Sequence, residues 1–206
     1  MKHAQRLTRA FFQANTLQVA RHLLGKRLVH LESGTGRTSG IISEAEAYIG
    51  MEDQACHARV GRTQRNETMW GEAGHAYVYF TYGMHWMLNF VTEREGFPAA
   101  VLIRGVLPVE GLDPIRSRRP GRPDHELCNG PAKLCQAFDI DRRFDGHDLC
   151  ISSSELFVEE GPAIRDRFVT CGPRVGLYTV EEPWKSKPWR FRIERSFANQ
   201  LQEEVA

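Results

Sequence analysis

Hydrophobic and polar residues alternate along several short segments of the chain, a pattern typical of β-strands that bury one face. The alternation is clearest in Tyr77-Val-Tyr-Phe-Thr81. The link Tyr82-Gly83-Met84 joins this segment to a second aromatic-rich one and predicts a hairpin turn. Extended structure is predicted over residues 26–30, 40–49, 76–82, 85–92, 99–106 and 189–193.

Helical signals are fewer and lie far apart in the chain. Thr16 is a candidate cap for a helix that ends near Gly25, and Pro131 suits the first turn of a second helix. A third helix is predicted over residues 109–118. Because the strands follow one another instead of alternating with long helices, the pattern favours an α+β fold over a doubly wound nucleotide-binding fold.

The composition fits a single domain over residues 1–206, with a core over about 6–194 and a short tail over 195–206. Of the 206 residues, 41% are apolar and 26% are charged, which excludes a disordered or fibrous chain. The longest purely apolar run, Ala99–Ile103, is too short to span a bilayer, and the N-terminus lacks an apolar signal core. We therefore expect an intracellular, cytoplasmic protein that does not associate with membranes.

The five cysteines are odd in number and include no CxxC pair, so we expect reduced thiols. No cluster of residues has complete metal-ligand spacing, and no glycine-rich phosphate loop occurs. The sequence therefore predicts neither a metal site nor a cofactor.

Basic residues are segregated along a chain whose net charge is only +1. Residues 1–31 carry six Lys or Arg and no acid, residues 116–122 carry four, and residues 185–195 carry five against one acid. Patches of this kind can form one positive face that binds nucleic acid. Solvated loops would explain each patch equally well.

The most informative segment is Glu44-Ala-Glu46-Ala-Tyr48, because a strand would place both carboxylates and the phenol on one face. A carboxylate between alanines and beside an aromatic ring is partly desolvated, which raises its pKa and makes it a better proton acceptor. A solvated strand edge is the alternative interpretation.

Polar residues follow this strand in a loop-like segment. His57 taken alone is more often structural than catalytic. Three arginines after it, Arg59, Arg62 and Arg65, have the side chains and the loop setting that suit phosphate contacts.

The predicted hairpin carries two further unusual residues. An aromatic residue at the turn, Tyr82, is expected to be exposed, as a wedge or a docking point would be. Asn89 places an amide inside an apolar strand, where it needs a hydrogen-bonding partner or a ligand.

Several segments together resemble the alkyladenine (3-methyladenine) DNA glycosylases, in the same order and from about Arg21 to Ile193. They are Glu44–Gly50, His57, Tyr77–Met84, Asn89, Leu102–Arg104, Cys128–Cys135 and Pro173–Gly176. The resemblance implies a curved, mostly antiparallel sheet, open and barrel-like, similar to the C-terminal domain of formyltransferases. Helices would pack against it, and a hairpin would protrude from it.

The resemblance also implies base-excision repair on double-stranded DNA. We expect a monomer by default, since one protein must reach one lesion. These glycosylases flip alkylated or deaminated purines out of the duplex and hydrolyse the N-glycosidic bond, leaving an abasic site. The expected lesions are 3-methyladenine, 7-methylguanine, ethenoadenine and hypoxanthine. Because one carboxylate and water suffice, the enzyme is expected to be monofunctional.

Roles for individual residues follow from the same resemblance. Glu46 matches the general base that activates water, and Arg104 and the backbone of Val175 match groups that help hold that water. The remaining matches divide into residues that bind the flipped base and residues that contact DNA. The first set is Tyr48, His57, Tyr79, Asn89 and Leu102, and the second is Tyr82, Met84, Arg59, Arg62, Arg65 and Lys133.

Two other functions stay open at this point. One is a catalytically silent module that binds DNA lesions on the same scaffold, although the presence of Glu46 favours an enzyme. The other is a glycosidase that uses Glu44 and Glu46, although a sugar cleft would not call for basic patches or an aromatic residue at a hairpin tip.

Overall fold

Eight β-strands form one antiparallel sheet in the computed structural model, which describes residues 4–34 and 36–205. The first four strands along the chain are β1 (Arg27–Glu32), β2 (Gly36–Ile49), β3 (Ala76–Thr81) and β4 (His85–Val91). The other four are β5 (Ala99–Glu110), β6 (Leu156–Glu159), β7 (Val169–Gly172) and β8 (Arg190–Ile193).

The long strand β2 is the spine of the sheet. The main path of strands runs β3-β4-β5-β2-β1-β6. On its second edge β2 pairs first with β1 and then, from Glu44 to Glu46, with β8, which also pairs with β7. The sheet therefore branches at β2 and does not close into a barrel. This confirms the α+β fold, and the hairpin of β3 and β4 lies at one end of the main path.

Helices pack on one side of this sheet. They are α1 (Arg9–Phe12), α2 (Thr16–Leu23), α3 (Leu112–Arg118), α4 (Pro131–Ala137) and α5 (Arg195–Val205). Two expectations need correction. Asn15, not Thr16, caps α2, because its side chain accepts the Leu17 N–H at 3.0 Å. The third helix begins only at Leu112, because residues 109–110 still belong to β5, in which Glu110 pairs with Ser39 of β2.

Residues 195–206 are expected to form a tail, but residues 195–205 form α5, and Ala198 and Leu201 are buried. Two short strands, β6 and β7, have no counterpart among the predicted segments. All four residues of β6 are buried, so no polar alternation marks it. Within the described ranges, no helix combines the length and the apolar character needed to cross a bilayer.

Alternation along the strands gives the sheet two different faces. One face carries the main core, to which α2 and α4 contribute Val19, Leu23 and Leu134. The strand residues in this core are mostly every second residue: Ala45, Ala47, Ala76, Val78, Leu88, Phe90, Val101 and Ile103. The intervening residues point to the opposite face, where a smaller cluster forms around Tyr77, Met69 and Ala100.

The alternation breaks at one position in β2. Ile41 and Ile42 are both in the main core, although a regular strand would place Ile42 with Glu44 on the other face. The pairing with β5 shifts register on both sides of Glu44, which is a β-bulge. From Ala45 onward the predicted alternation holds, so Glu46 and Tyr48 share the face opposite the core.

The two-faced sheet gives a testable expectation for stability. Phe90 is fully buried, and its ring lies 5.9 Å from that of Phe12, so Phe90→Ala should lower the free energy of unfolding by about 3–5 kcal/mol. Urea denaturation measures the change. Val60, which is 67% exposed, is the control, and Val60→Ala should stay within about 0.5 kcal/mol of wild type. Equal effects of the two variants would contradict the assignment of the core.

Candidate active site

A cavity of about 330 Å³ opens on the face of the sheet opposite the main core. It is lined by side chains from β2, β3, β4 and β5, by residues of the β2–β3, β3–β4 and β7–β8 connections, and by the first residue of α4. The strands contribute Tyr48, Tyr77, Tyr79, Thr81, Met87, Asn89, Ala100, Leu102 and Arg104, the connections contribute Ala55, His57, Met69, Tyr82, Val175, Gly176 and Leu177, and α4 contributes Pro131. A volume of this order suits one small ligand group.

Strand register brings the key residues into one row. Tyr77 pairs with Asn89, Asn89 with Leu102, and Leu102 with Glu46. Neighbouring strands lie about 4.8 Å apart, so the row runs across four strands. Residues separated by as many as 56 positions along the chain therefore meet in one wall, and their side chains share the face that alternation assigns to them.

Glu46 lies one layer behind the cavity surface. Its side chain has 0% exposure, and it is bonded to three residues that line the cavity. The Val175 N–H donates to Oε1 at 2.7 Å, and the Tyr48 hydroxyl donates to Oε2 at 2.9 Å. Arg104 Nε lies 3.3 Å from Oε1. Arg104 and Val175, which the resemblance groups with Glu46, thus both contact it.

Opposing effects act on the pKa of this carboxyl. Burial raises the pKa of Glu46, while Arg104, the Val175 N–H and the Tyr48 hydroxyl lower it, and the net direction is upward. Burial alone would lower the pKa of Arg104, but Glu46 and Glu44 raise it. A buried carboxylate whose pKa is raised accepts a proton more readily than an exposed one.

Glu44 has a different role from Glu46. Its Oε1 accepts from Arg104 Nε at 3.0 Å and lies 3.6 Å from Arg190 Nη1. Both carboxylates thus contact the same guanidinium. The pair of carboxylates forms one ion cluster and is not split across an open cleft, as a pair of glycosidase carboxylates would be.

Aromatic rings form the walls of the cavity. The ring centroids of His57 and Tyr79 lie 4.5 Å apart, and those of Tyr77 and Tyr79 lie 5.3 Å apart. Tyr48 completes the set as the residue beside Glu46. The three predicted rings, Tyr48, His57 and Tyr79, therefore all line one cavity, and Tyr77 is an addition that the hairpin pattern had marked only as a strand residue.

His57 is a neutral imidazole in this setting. Burial, together with the smaller effects of Arg65 and Arg59, lowers its pKa to about 4. Its Nδ1 lies 2.9 Å from the Tyr77 hydroxyl, so the ring orientation is fixed. The same burial holds the pKa of the Tyr79 phenol at about 12, so His57 and Tyr79 present uncharged polar edges to the cavity.

The amide expected to need a partner has one. Asn89 Nδ2 donates to the backbone carbonyl of Tyr77 at 3.0 Å, and the side chain lines the cavity beside Leu102. Because β3 supplies the acceptor, the amide is held in a defined orientation at the cavity wall.

The hairpin tip is exposed as the sequence predicts. Tyr82 is 82% exposed and Met84 is 68% exposed. Tyr82 and Gly83 both have positive φ, and the Met84 N–H donates to the Thr81 carbonyl, which is the pattern of a type I′ turn. Tyr82 borders the cavity, whereas Met84 borders a second groove that also contains Lys133.

The four basic residues predicted to contact DNA differ in exposure and in hydrogen-bonding partners. Arg59 is exposed and Arg62 pairs with Glu67, while Arg65 donates to the Phe80 carbonyl at 3.3 Å. Lys133 donates to Asn129 at 2.7 Å at the start of α4. None of these four residues lines the main cavity.

Known proteins resemble this chain over most of its length. The model of the methylpurine-DNA glycosylase family matches residues 10–197. The chain belongs to the methylpurine-DNA glycosylase family. The expected family and the expectation of a DNA glycosylase, a hydrolase that acts on DNA, are thereby confirmed.

Individual relatives of this glycosylase carry the name "Putative 3-methyladenine DNA glycosylase". One from Methanocella arvoryzae is 51% identical over 187 residues, which cover 90% of each chain. One from Anaeromyxobacter dehalogenans is 46% identical and covers 93% of this chain and 84% of its own. One from Chlorobaculum parvum is 42% identical, with 88% and 86% coverage.

The environment of His57 in the glycosylase leads to a pH-dependent expectation. Because the folded-state pKa is about 4, below the ordinary value of 6.5, the folded state binds fewer protons than the unfolded state between these values. The contribution of His57 to stability is complete above pH 6.5 and is lost as the pH falls toward 4. NMR titration of the imidazole, assigned with a His57→Gln variant, should show no protonation down to about pH 5. A midpoint near 6.5 would contradict the buried, neutral state.

Proposed function

We propose that this glycosylase removes alkylated or deaminated purines from duplex DNA. It would flip the damaged nucleotide into the cavity and hydrolyse its N-glycosidic bond, leaving an abasic site. The observation that carries the proposal is the buried Glu46 carboxylate, bonded to Tyr48, Arg104 and Val175 at the wall of an aromatic cavity. The proposed substrates are 3-methyladenine, 7-methylguanine, ethenoadenine and hypoxanthine.

The cavity walls favour electron-poor bases. 3-Methyladenine and 7-methylguanine carry positive charge, and electron-rich rings attract such bases by stacking and cation–π forces. Tyr48, His57 and Tyr79 would hold the base between them, with Leu102 packed against it. The amide of Asn89 would crowd the exocyclic amino group of an ordinary guanine. Normal purines are also better stacked and paired in the duplex, so their extrusion costs more.

Glu46 would serve the chemistry in two ways. Its carboxylate accepts a proton from the attacking water, and its negative charge stabilises the oxocarbenium-like sugar that forms as the base departs. Arg104 and the Val175 N–H would orient that carboxylate and its water. No lysine is among the residues that line the cavity, so water, not an amine, is the proposed nucleophile and the enzyme is monofunctional.

The hairpin tip and the basic residues would engage the DNA. Tyr82 would fill the space that the flipped nucleotide leaves, entering from the minor groove with Met84 beside it. Arg59, Arg62, Arg65 and Lys133 would contact phosphates. One chain holds every residue of this arrangement, so a monomer suffices.

A Glu46→Gln variant tests the catalytic assignment. The amide keeps the size of the side chain but cannot accept the proton, so release of damaged base should fall by roughly 10²–10⁴-fold while DNA binding persists. The assay uses duplexes containing each of the four lesions and scores strand breaks after hot alkali.

The control for this variant is Glu159→Gln. Glu159 is also a buried glutamate, but it lies on β6, away from the cavity, and pairs with Arg37. The Glu159→Gln variant should retain wild-type release. Full activity of Glu46→Gln would remove Glu46 from its role. Binding without release by the wild-type protein would favour the lesion-binding module.

A Tyr82→Ala variant tests the hairpin tip. The side chain is 82% exposed, so the fold should be unaffected, while the affinity for lesion-containing duplex should fall about tenfold through lost stacking. Tyr82→Phe keeps the ring and should bind like wild type. Fluorescence anisotropy gives the affinity and thermal unfolding checks the fold. A lower unfolding temperature for Tyr82→Ala would mean that the residue supports the fold instead.

A further inference from the structure

A fully buried ion pair, Asp53–Arg174, lies behind the cavity wall. Both side chains have 0% exposure, and neither borders the cavity. Arg174 Nη1 donates to Asp53 Oδ2 at 2.5 Å, and Nη2 donates to Oδ1 at 2.8 Å, so the contact is bidentate. Burying two charges is costly and stabilises a fold only weakly in general. A pair of this kind therefore calls for an explanation beyond stability.

The pair replaces a missing strand along the edge of β2. Strand β8 pairs with β2 only as far as Glu46. Beyond that point, the Ala47 carbonyl accepts from Arg174 at 2.9 Å, and the Ile49 N–H donates to Asp53 at 3.2 Å. The ion pair thus satisfies the β2 backbone on both sides of Tyr48, which would otherwise lack partners at this edge.

The same ion pair connects β2 to two other segments that border the cavity, the loop before His57 and the segment around Val175. Arg174 directly precedes Val175, whose N–H donates to Glu46. Arg174 Nη2 also donates to the Trp184 carbonyl at 3.3 Å. Asp53 Oδ1 accepts from the Ala55 N–H at 3.0 Å, in the loop that leads to His57. One contact therefore sets the relative positions of β2, the loop before His57 and the segment around Val175.

The guanidinium also supports the Tyr48 ring. Arg174 Cζ lies 4.7 Å from the ring centroid of Tyr48 and 5.0 Å from that of Trp189. A planar cation between two rings is a rigid backing, and arginine suits this geometry where lysine does not.

We propose that Asp53 and Arg174 are positioning residues for the hydrolysis, which hold the Val175 N–H and the Tyr48 hydroxyl against the Glu46 carboxylate. The inference rests on the proposed function. A misplacement of about 1 Å in such a set of groups can cost about 10²-fold in rate. The pair would therefore act on the chemical step and not on the capture of DNA.

An Arg174→Lys variant separates positioning from charge. The ammonium can still neutralise Asp53, but it cannot reach Asp53, Ala47 and Trp184 together. The matched control is Arg37→Lys, which removes the fork that binds Glu110 and Glu159 at the other end of β2. Release of 7-methylguanine is measured in single turnover with enzyme in excess, and affinity is measured on a duplex with a stable abasic-site analogue.

The expected result is a single-turnover rate about 10²-fold lower for Arg174→Lys, with an affinity within about threefold of wild type. Arg37→Lys should match wild type in both. A folded Arg174→Lys variant with the wild-type rate would overturn the proposal. So would a loss of rate that is explained by affinity alone.

The pH profile of the rate distinguishes positioning from a purely structural role, which would leave the profile unchanged. The Val175 N–H lowers the pKa of Glu46, so its displacement raises that pKa and shifts the acidic limb of the rate profile to higher pH. The charged and titratable neighbours of Glu46, which the variant leaves in place, are Glu44 and Tyr48 on β2, Tyr79 on β3, Arg104 on β5 and Arg190 on β8. An unmoved limb would contradict the proposal.

Two further measurements keep the outcome decisive. Asp53→Asn is the second variant, and failure of both variants to fold would overturn the proposal, because the pair would then be purely structural. The NMR chemical shift of the Val175 amide proton should change in Arg174→Lys, as it should in Glu46→Gln. This shift does not depend on activity. Absence of base release by wild type would therefore reject the proposed function, while the amide shift would still test the positioning.

Discussion

A carboxylate that is buried away from water needs hydrogen-bond donors or a positive charge in contact with it, and this constraint organises the structure around Glu46. Removing one partner of a buried ion pair typically costs about 3–5 kcal/mol, so each donor must arrive with its position already fixed. Arg104 comes from β5, Tyr48 from β2 itself and Val175 from a segment 129 residues away in the chain. The sheet, with its antiparallel register and its branch at β2, is what makes these three approach one carboxylate.

The same arrangement explains why the site can combine a basic carboxylate with a neutral aromatic cavity. Burial raises the pKa of Glu46 and lowers that of His57, because desolvation disfavours whichever form is charged. The donors around Glu46 limit the first effect, whereas Arg65 and Arg59 add to the second. Burial in the same wall thus raises the pKa of the Glu46 carboxyl and keeps the His57 ring uncharged.

Local patterns in the sequence predict the parts of the fold that have one buried face. Alternation identifies β3, and it places Glu46 and Tyr48 on one face of β2. The start of β5 is instead the purely apolar run Ala99–Ile103. Alternation fails for β6, which is buried on both faces, and at Ile42, where a bulge changes the register. The Asp53–Arg174 contact spans 121 positions and has no local signal at all. The residues of the aromatic cavity were grouped by resemblance, since no spacing rule links His57 to Tyr79.

Because strand residues alternate between the two faces of the sheet, the cavity lining can change separately from the core. Tyr77, Asn89 and Leu102 line the cavity, while their immediate neighbours along the strands belong to the main core. Selection can therefore reshape the recognition surface through every second codon without disturbing the packing that holds the strands together. A scaffold built in this way tolerates changes in the cavity lining while the fold is kept.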